Sequence, residues 1–342
     1  MTRQRAADAA LPLDVFADPS YLDRKIETAK DRIRRHAGRP WLVAWSGGKD
    51  STTVLHLAWE VAEELDKELA VVYHDTLLEY PWVYDWTYGA IEDLARHDVK
   101  VIITIPGEDY LTMVLKRRYS PPALMKPWCV ASFKMGPARR LGRLGLPRGC
   151  VTIAGIRAGE SGRRGRLARG RAVGDISTQY YAAGWRVAPI ADWTAADVWL
   201  FLKTRRQPWS GKDYSPLFRA YLGDLKVRTG CSLCTVVVTH YHLQRAAHVV
   251  DRKYARVLEL LGQLHGVAMD PRYWRPGTTK LNDKGLKRVR EILIEIFTVA
   301  PEFLRGYATF KPEAVEKYLP EVAHLLPNYR MAIPDVVEVH EL

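Results

Sequence analysis

Four short apolar runs, at residues 41–45, 69–73, 99–105 and 150–156, punctuate the first half of the chain. They end in Ser46-Gly47-Gly48, His74-Asp75-Thr76, Pro106-Gly107 and Arg157, and segments of helical length separate them. Runs of this length without strict alternation belong to strands buried on both faces of a parallel sheet, with crossover helices between them. Residues 21–36 place charges on a helical period and stop at Gly38-Arg39-Pro40, which predicts a charged amphipathic helix before the first strand. From about Trp209 the pattern changes to helical segments without clear strands, among them a leucine and isoleucine stripe in residues 284–296 that reads as core packing. The predicted fold class is α/β, a doubly wound, mainly parallel sheet with a helical C-terminal region. The predicted division is an N-terminal arm at 1–24, an α/β domain at 25–208, and a mainly helical region at 209–342.

In a sheet of this kind ligands lie beyond the carboxyl ends of the strands. The residues that follow the runs therefore share one rim, and the first of them is the most specific. Ser46-Gly47-Gly48-Lys49-Asp50-Ser51-Thr52 stands between a strand and a segment with apolar residues at Val54, Leu55, Leu57, Ala58 and Val61. Two glycines permit a sharp turn and leave amides open to an anion. A following helix would add its dipole and unpaired N–H groups, and Lys49 a point charge. The heptapeptide reads as a nucleotide phosphate loop, distinct from both GxxxxGK[ST] and GxGxxG.

Composition narrows the class. Hydrophobic residues make up 47% and charged residues 26%, as in an ordinary globular protein. No stretch reaches the roughly 18 uninterrupted apolar residues of a spanning helix. The N-terminal residues make a poor signal peptide, so a cytoplasmic protein without a membrane partner is expected. Four cysteines in 342 residues cannot form a disulfide framework. The net charge of +12 is concentrated: ten arginines crowd residues 139–171, with Glu160 and then Asp175 the nearby acids. Such a run suits a polyanion, since arginine contacts phosphate in bidentate fashion, while a solvated face is the alternative.

Asp75 would hold Mg²⁺ or ribose hydroxyls at the rim, the alternative being a helix cap, and Thr76 would cap the next helix. Asp50 would place a metal against a pyrophosphate leaving group, with Lys49 and the loop amides offsetting charge. Ser51 and Thr52 read as phosphate ligands, because no base has nucleophile spacing to them. Cys231-Ser232-Leu233-Cys234 is a C-x-x-C, and Cys129 follows Trp128. Such a pair serves redox chemistry, zinc or an iron–sulfur site, and the lack of a thioredoxin-like unit favours metal. Cys150 heads the fourth run, away from the rim, and reads as structural. A fourth ligand position would fall to His240 or His242, or stay open for an exogenous sulfur atom.

Further segments extend the pattern: Trp128-Cys129 with Lys134 and Pro137, Gly155-Ile156-Arg157-Ala158-Gly159-Glu160-Ser161, Pro189 to Thr194 with Asp197-Val198-Trp199, and Gly230-Cys231-Ser232-Leu233-Cys234-Thr235-Val236-Val237. Taken in this order behind the loop, they resemble the phosphoadenosine-phosphosulfate reductase-like branch of the PP-loop ATP pyrophosphatases, over residues 25–300. Within it the GCSLCTVV segment and the upstream Trp-Cys resemble the DndC and SspD proteins of bacterial DNA phosphorothioation. Assimilatory reductases share the Gly155 and Asp192 regions but carry a cysteine near the C-terminus, and residues 336–342 have none.

The resemblance implies an adenine nucleotide alpha hydrolase-like fold and cleavage of MgATP to AMP and pyrophosphate. Ser46, Gly47, Gly48, Lys49, Asp50, Ser51, Thr52, Asp75, Thr76, Lys134, Gly155 and Arg157 would line the nucleotide site. Lys49, Asp50, Arg157 and Glu160 would serve the chemistry, and Cys129, Cys231 and Cys234 a 4Fe–4S cluster, zinc or transferred sulfur. Adenylation of a DNA backbone phosphate would precede sulfur incorporation. The expected partners are a cysteine desulfurase, other phosphorothioation proteins and DNA, met by residues 163–171. The rival readings are a tRNA or other sulfurtransferase, a sulfonucleotide reductase, and a non-catalytic ATP-gated assembly subunit.

Overall fold

A computed structural model describes residues 20–97, 99–124, 126–146, 149–160, 175–177, 185–226, 229–236 and 240–342. Helix α1 (Tyr21–Arg34) precedes strand β1 (Trp41–Ala44), helix α2 (Lys49–Glu64), β2 (Leu69–His74), helix α3 (Pro81–Ala95) and β3 (Lys100–Ile105). Short helical turns, among them α4 (Gly136–Arg140), lead to β4 (Val151–Ala154), and β5 (Asp175–Ser177) and β6 (Trp185–Val187) follow. One seven-stranded sheet runs in the order β5-β6-β4-β1-β2-β3-β7, with β7 at Glu338–Glu341. All neighbours are parallel except β5 and β6. β1 pairs with β2 from Trp41 opposite Leu69, and with β4 from Trp41 opposite Val151.

The two faces are covered unequally. Trp41, Val43, Val71, Tyr73, Val101 and Ile103 point into the main core, which they share with Ile26, Leu57, Val61, Ile91 and Leu94 of α1, α2 and α3. Leu42, Val72 and Ile102 face the other way and meet Leu141 and Cys150 in a smaller cluster. The crossovers through α2 and α3 thus lie on one face, while the return from β3 to β4 uses the other. Chain order reverses between β1 and β4, which makes their carboxyl ends the topological switch point where ligands of open α/β sheets bind.

Helix α1 is fixed by ion pairs as well as by its apolar stripe. Lys25 Nζ lies 2.7 Å from Asp197, and Arg32 donates to Asp192 at 2.5 Å and to the Pro189 carbonyl. Asp197 also closes a capping box with Thr194 at the start of helix α5 (Ala195–Thr204). After α6 (Ser215–Ala220) come α7 (Tyr241–Val249), α8 (Lys253–Met269) and α9 (Asp283–Val299). Val289, Ile292, Leu293, Ile296 and Phe297 of α9 are buried, so the stripe expected at 284–296 packs the core.

Two expectations change. The region after Trp209 is not strand-free: β7 pairs with β3, Ile102 opposite Glu338 through Ile105 opposite Glu341, and forms an edge of the sheet. Thr76 does not cap the next helix, because α3 begins at Pro81 with Tyr80 in the capping position. Among the described residues no helix is long and apolar enough to cross a membrane.

Candidate nucleotide and thiol site

The phosphate loop leaves β1 and enters α2 as its composition predicts. Gly47 has φ of +71°, a conformation glycine alone adopts without strain, and a Cβ there would collide with Thr87 of α3. Gly48 takes the N-cap position without a side-chain cap, so α2 offers its first amides at the switch point. The turn is braced from within: Ser46 N–H donates to Ser51 Oγ at 3.1 Å, and Ser51 Oγ donates to the Gly48 carbonyl at 3.0 Å. It is braced from outside by Trp86, whose indole N–H donates to the Gly47 carbonyl at 2.7 Å. Trp45 likewise donates to Thr52 Oγ1 at 3.0 Å.

Gly155, at the exit of β4, presses against the first turn of α2. A Cβ there would stand 2.5 Å from the carbonyl carbon of Asp50 and the amide nitrogen of Ser51. Two residues on, Arg157 is 1% exposed and donates through Nε to Asp50 Oδ1 at 2.7 Å. Asp50 Oδ2 meets Lys49 Nζ at 3.1 Å. Burial opposes the charge on Lys49, yet neighbouring Asp50 raises its pKa above the ordinary value. The structure thus brings Ser46, Gly47, Gly48, Lys49, Asp50, Ser51, Thr52, Gly155 and Arg157 together. The side chain of Glu160 and residues 161–174, including the Arg163 to Arg171 run, lie outside the described residues.

Asp75 is turned inward from the rim. Its Oδ1 accepts from the Leu77 amide at 2.7 Å and from Tyr84 at 2.9 Å, and its Oδ2 accepts from Tyr88 at 2.6 Å. Burial raises its pKa. It anchors the β2–α3 connection, whereas Asp50, paired with Arg157 and Lys49, is the carboxylate that stands at the loop itself. Thr76 donates to Glu79 at 3.0 Å and lies 3.8 Å from Cys231 Sγ, which links that connection to the C-x-x-C. A β-bridge between Glu79 and Cys231, and the Ser232 amide donating to the Leu78 carbonyl at 2.6 Å, complete the link.

The Lys134 ammonium stands among Cys129, Cys231, Cys234 and Glu79, which in their ionised forms raise its pKa, Cys231 most strongly. Burial pushes the thiols of Cys129 and Cys231 up to about 11 and about 12, toward the protonated form. An iron–sulfur cluster or structural zinc needs a closed set of deprotonated ligands. Among the described residues no group of three His, Cys, Asp or Glu could hold a metal ion. His242 accepts through Nε2 from Trp82 at 2.9 Å, and burial lowers its pKa to about 4, which keeps the ring neutral. Cys129, Cys231 and Cys234 gather around the Lys134 ammonium. Cys150 is buried on the opposite face of the sheet.

Four participants were not singled out from the sequence. Glu79 follows Asp75 by four positions with no spacing signal of its own, and Tyr84 and Tyr88 show only a helical i, i+4 relation. A tyrosine at 221 reaches the loop from far along the chain, its hydroxyl accepting from the Lys49 amide at 3.1 Å.

A parallel α/β sheet with a glycine phosphate loop at its switch point, backed by a buried arginine from the next strand, defines a nucleotide-binding protein of the PP-loop type. The profile of the phosphoadenosine phosphosulfate reductase domain matches residues 40–236, and the chain belongs to that family. No curated protein matches the chain.

Proposed function

We propose that this protein splits MgATP into AMP and pyrophosphate and uses the AMP to activate a DNA backbone phosphate for sulfur incorporation. The observation that carries the nucleotide half is the loop held between β1 and β4, with Gly155 packed on the first turn of α2 and Arg157 paired with Asp50. A phosphodiester oxygen of DNA attacks the α-phosphorus, the bond to the bridging oxygen of the β-phosphate breaks, and pyrophosphate leaves with the electron pair. Lys49 and the loop amides offset the charge that builds there, and Asp50 would hold the Mg²⁺ that comes with the ATP, which would add to that offset. Adenylation is needed because a phosphodiester anion repels nucleophiles and parts poorly with oxide, whereas AMP is a competent leaving group. A persulfide that a cysteine desulfurase leaves on one of Cys129, Cys231 and Cys234, beside Lys134, then attacks the activated phosphorus and AMP leaves; a second thiol of the three cleaves the S–S bond, which leaves sulfur on the DNA phosphorus and a disulfide between the two cysteines for an external thiol to reduce.

The thiol pocket, tied to the loop side of the sheet through Thr76 and Glu79, supports sulfur chemistry on the activated product. The net charge of +12 supports a polyanionic substrate. DNA is separated from tRNA by incubating the protein with labelled ATP, Mg²⁺ and each nucleic acid in turn. AMP and pyrophosphate stimulated by DNA are expected; stimulation by tRNA would replace the substrate, and ADP with phosphate would overturn the mechanism. Lys49→Ala is expected to lower AMP formation by about 100-fold or more with the fold intact, as loss of a charge-stabilising group does elsewhere. Modification persisting in cells that carry this variant would leave only the assembly-subunit reading.

A further inference from the structure

Tyr221 follows α6 and is 3% exposed, yet its hydroxyl reaches the backbone amide that opens α2. Helix geometry leaves that Lys49 N–H without an intrahelical acceptor, and an anion bound at the loop would take it. The same hydroxyl lies 3.5 Å from where a Gly48 Cβ would stand, so it is seated over the glycine turn. The Lys49 ammonium, while paired with Asp50, also faces the rings of Tyr221 and Trp199 at 5.8 and 6.0 Å. Those two rings meet edge to face at 4.8 Å, and the Trp199 indole donates to the Leu225 carbonyl at 3.0 Å. One aromatic pair therefore engages both the backbone donor and the ammonium of the phosphate loop. The same pair anchors residues 221–225, a few positions before Cys231 and Cys234.

We infer that Tyr221 is a gate on the phosphate loop: its hydroxyl holds the amide that a nucleotide phosphate takes, and nucleotide binding swings it away. A hydrogen bond to a charged phosphate oxygen is stronger than one to a neutral phenol, so the exchange favours the ligand. Release of Tyr221 frees the anchored stretch and passes the event to the thiols, so that the partly exposed Cys231 becomes more open to a sulfur donor once ATP has bound. This inference rests on the nucleotide reading above and deepens it from occupancy to regulation.

The test compares wild type with Tyr221→Phe, which keeps the ring and its packing and deletes the hydroxyl. α,β-Methylene-ATP with Mg²⁺, which cannot be cleaved at the α–β position, is titrated by calorimetry. The Phe variant is expected to bind about 2- to 10-fold more tightly, the range set by one net hydrogen bond. In parallel, the rate of Cys231 alkylation by iodoacetamide, read by peptide mass, is expected to rise when the analogue is added to wild type. It is expected to be raised in the variant before addition. Weaker binding by the variant would make Tyr221 a phosphate ligand and overturn the gate. Equal affinities, or alkylation indifferent to the analogue, would reduce it to a helix cap and overturn it too. Binding by neither protein would overturn the nucleotide reading, and the gate with it.

Discussion

Glu79 shows how far a side chain can depart from what its letter suggests. Burial lifts its carboxyl from 4.5 to about 7, with Lys134 opposing and Asp75 adding to the rise. The folded protein then keeps a proton that the unfolded chain releases above about pH 4.5. The sign follows: the protonated carboxyl costs no stability below that pH, and stability falls as pH rises toward 7, by at most about 3 kcal/mol for this group. Glu79→Gln removes the titration, so its melting temperature is expected to fall less than that of wild type between pH 5 and pH 8. Parallel curves for the two proteins would show that Glu79 titrates normally. The sequence could not reveal this residue, because its environment is assembled from β2, residue 134 and the C-x-x-C, segments far apart in the chain. The loop was legible because its requirements are local: Gly47 needs a positive φ, and Gly48 a turn into a helix, both written in seven consecutive letters.

Elements carry the next level of constraint. The four central strands were legible as apolar runs because each is covered on both faces, and their observed bounds fall within two residues of the runs. β5, β6 and β7 are three or four residues long and escaped notice; Glu-Val-His-Glu at the last carries no apolar signal, since it is an edge with mostly exposed side chains. What joins elements at the site is close approach, and Gly155 is where β4 meets α2. Gly155→Ala places a methyl 2.5 Å from two backbone atoms of α2, which can yield only by moving the phosphate loop. A destabilisation of about 1–3 kcal/mol is expected, the usual range for overpacking, together with weakened nucleotide binding. Gly38→Ala serves as control, since a Cβ there meets nothing within 4 Å. Denaturant midpoints and nucleotide titrations on the two variants decide the matter. An unperturbed Gly155→Ala would show that the β4 exit is slack and that Arg157 alone positions Asp50.

At the scale of the whole molecule, residues 338–341 add an outer strand of the sheet. β7 covers the β3 edge, the Leu342 amide donates to the Ile105 carbonyl, and the Gly107 amide donates to the Leu342 carbonyl at 2.8 Å. Lys311 then clamps the margin, its ammonium 2.9 Å from both the Gly107 carbonyl and Glu341. An uncovered parallel edge is a template for pairing with another chain, so removal of residues 336–342 is expected to promote concentration-dependent association and to lower the melting temperature. The nucleotide rim lies between β1 and β4, with β2 and β3 separating it from β7. Binding of α,β-methylene-ATP should therefore survive the truncation within about twofold, since sites far apart and without shared partners behave independently. Light scattering at two protein concentrations and a nucleotide titration separate the two effects. Lost affinity in a truncated protein that remains monomeric would mean that strain at one margin of the sheet reaches the switch point, and the sheet would then act as a single mechanical unit.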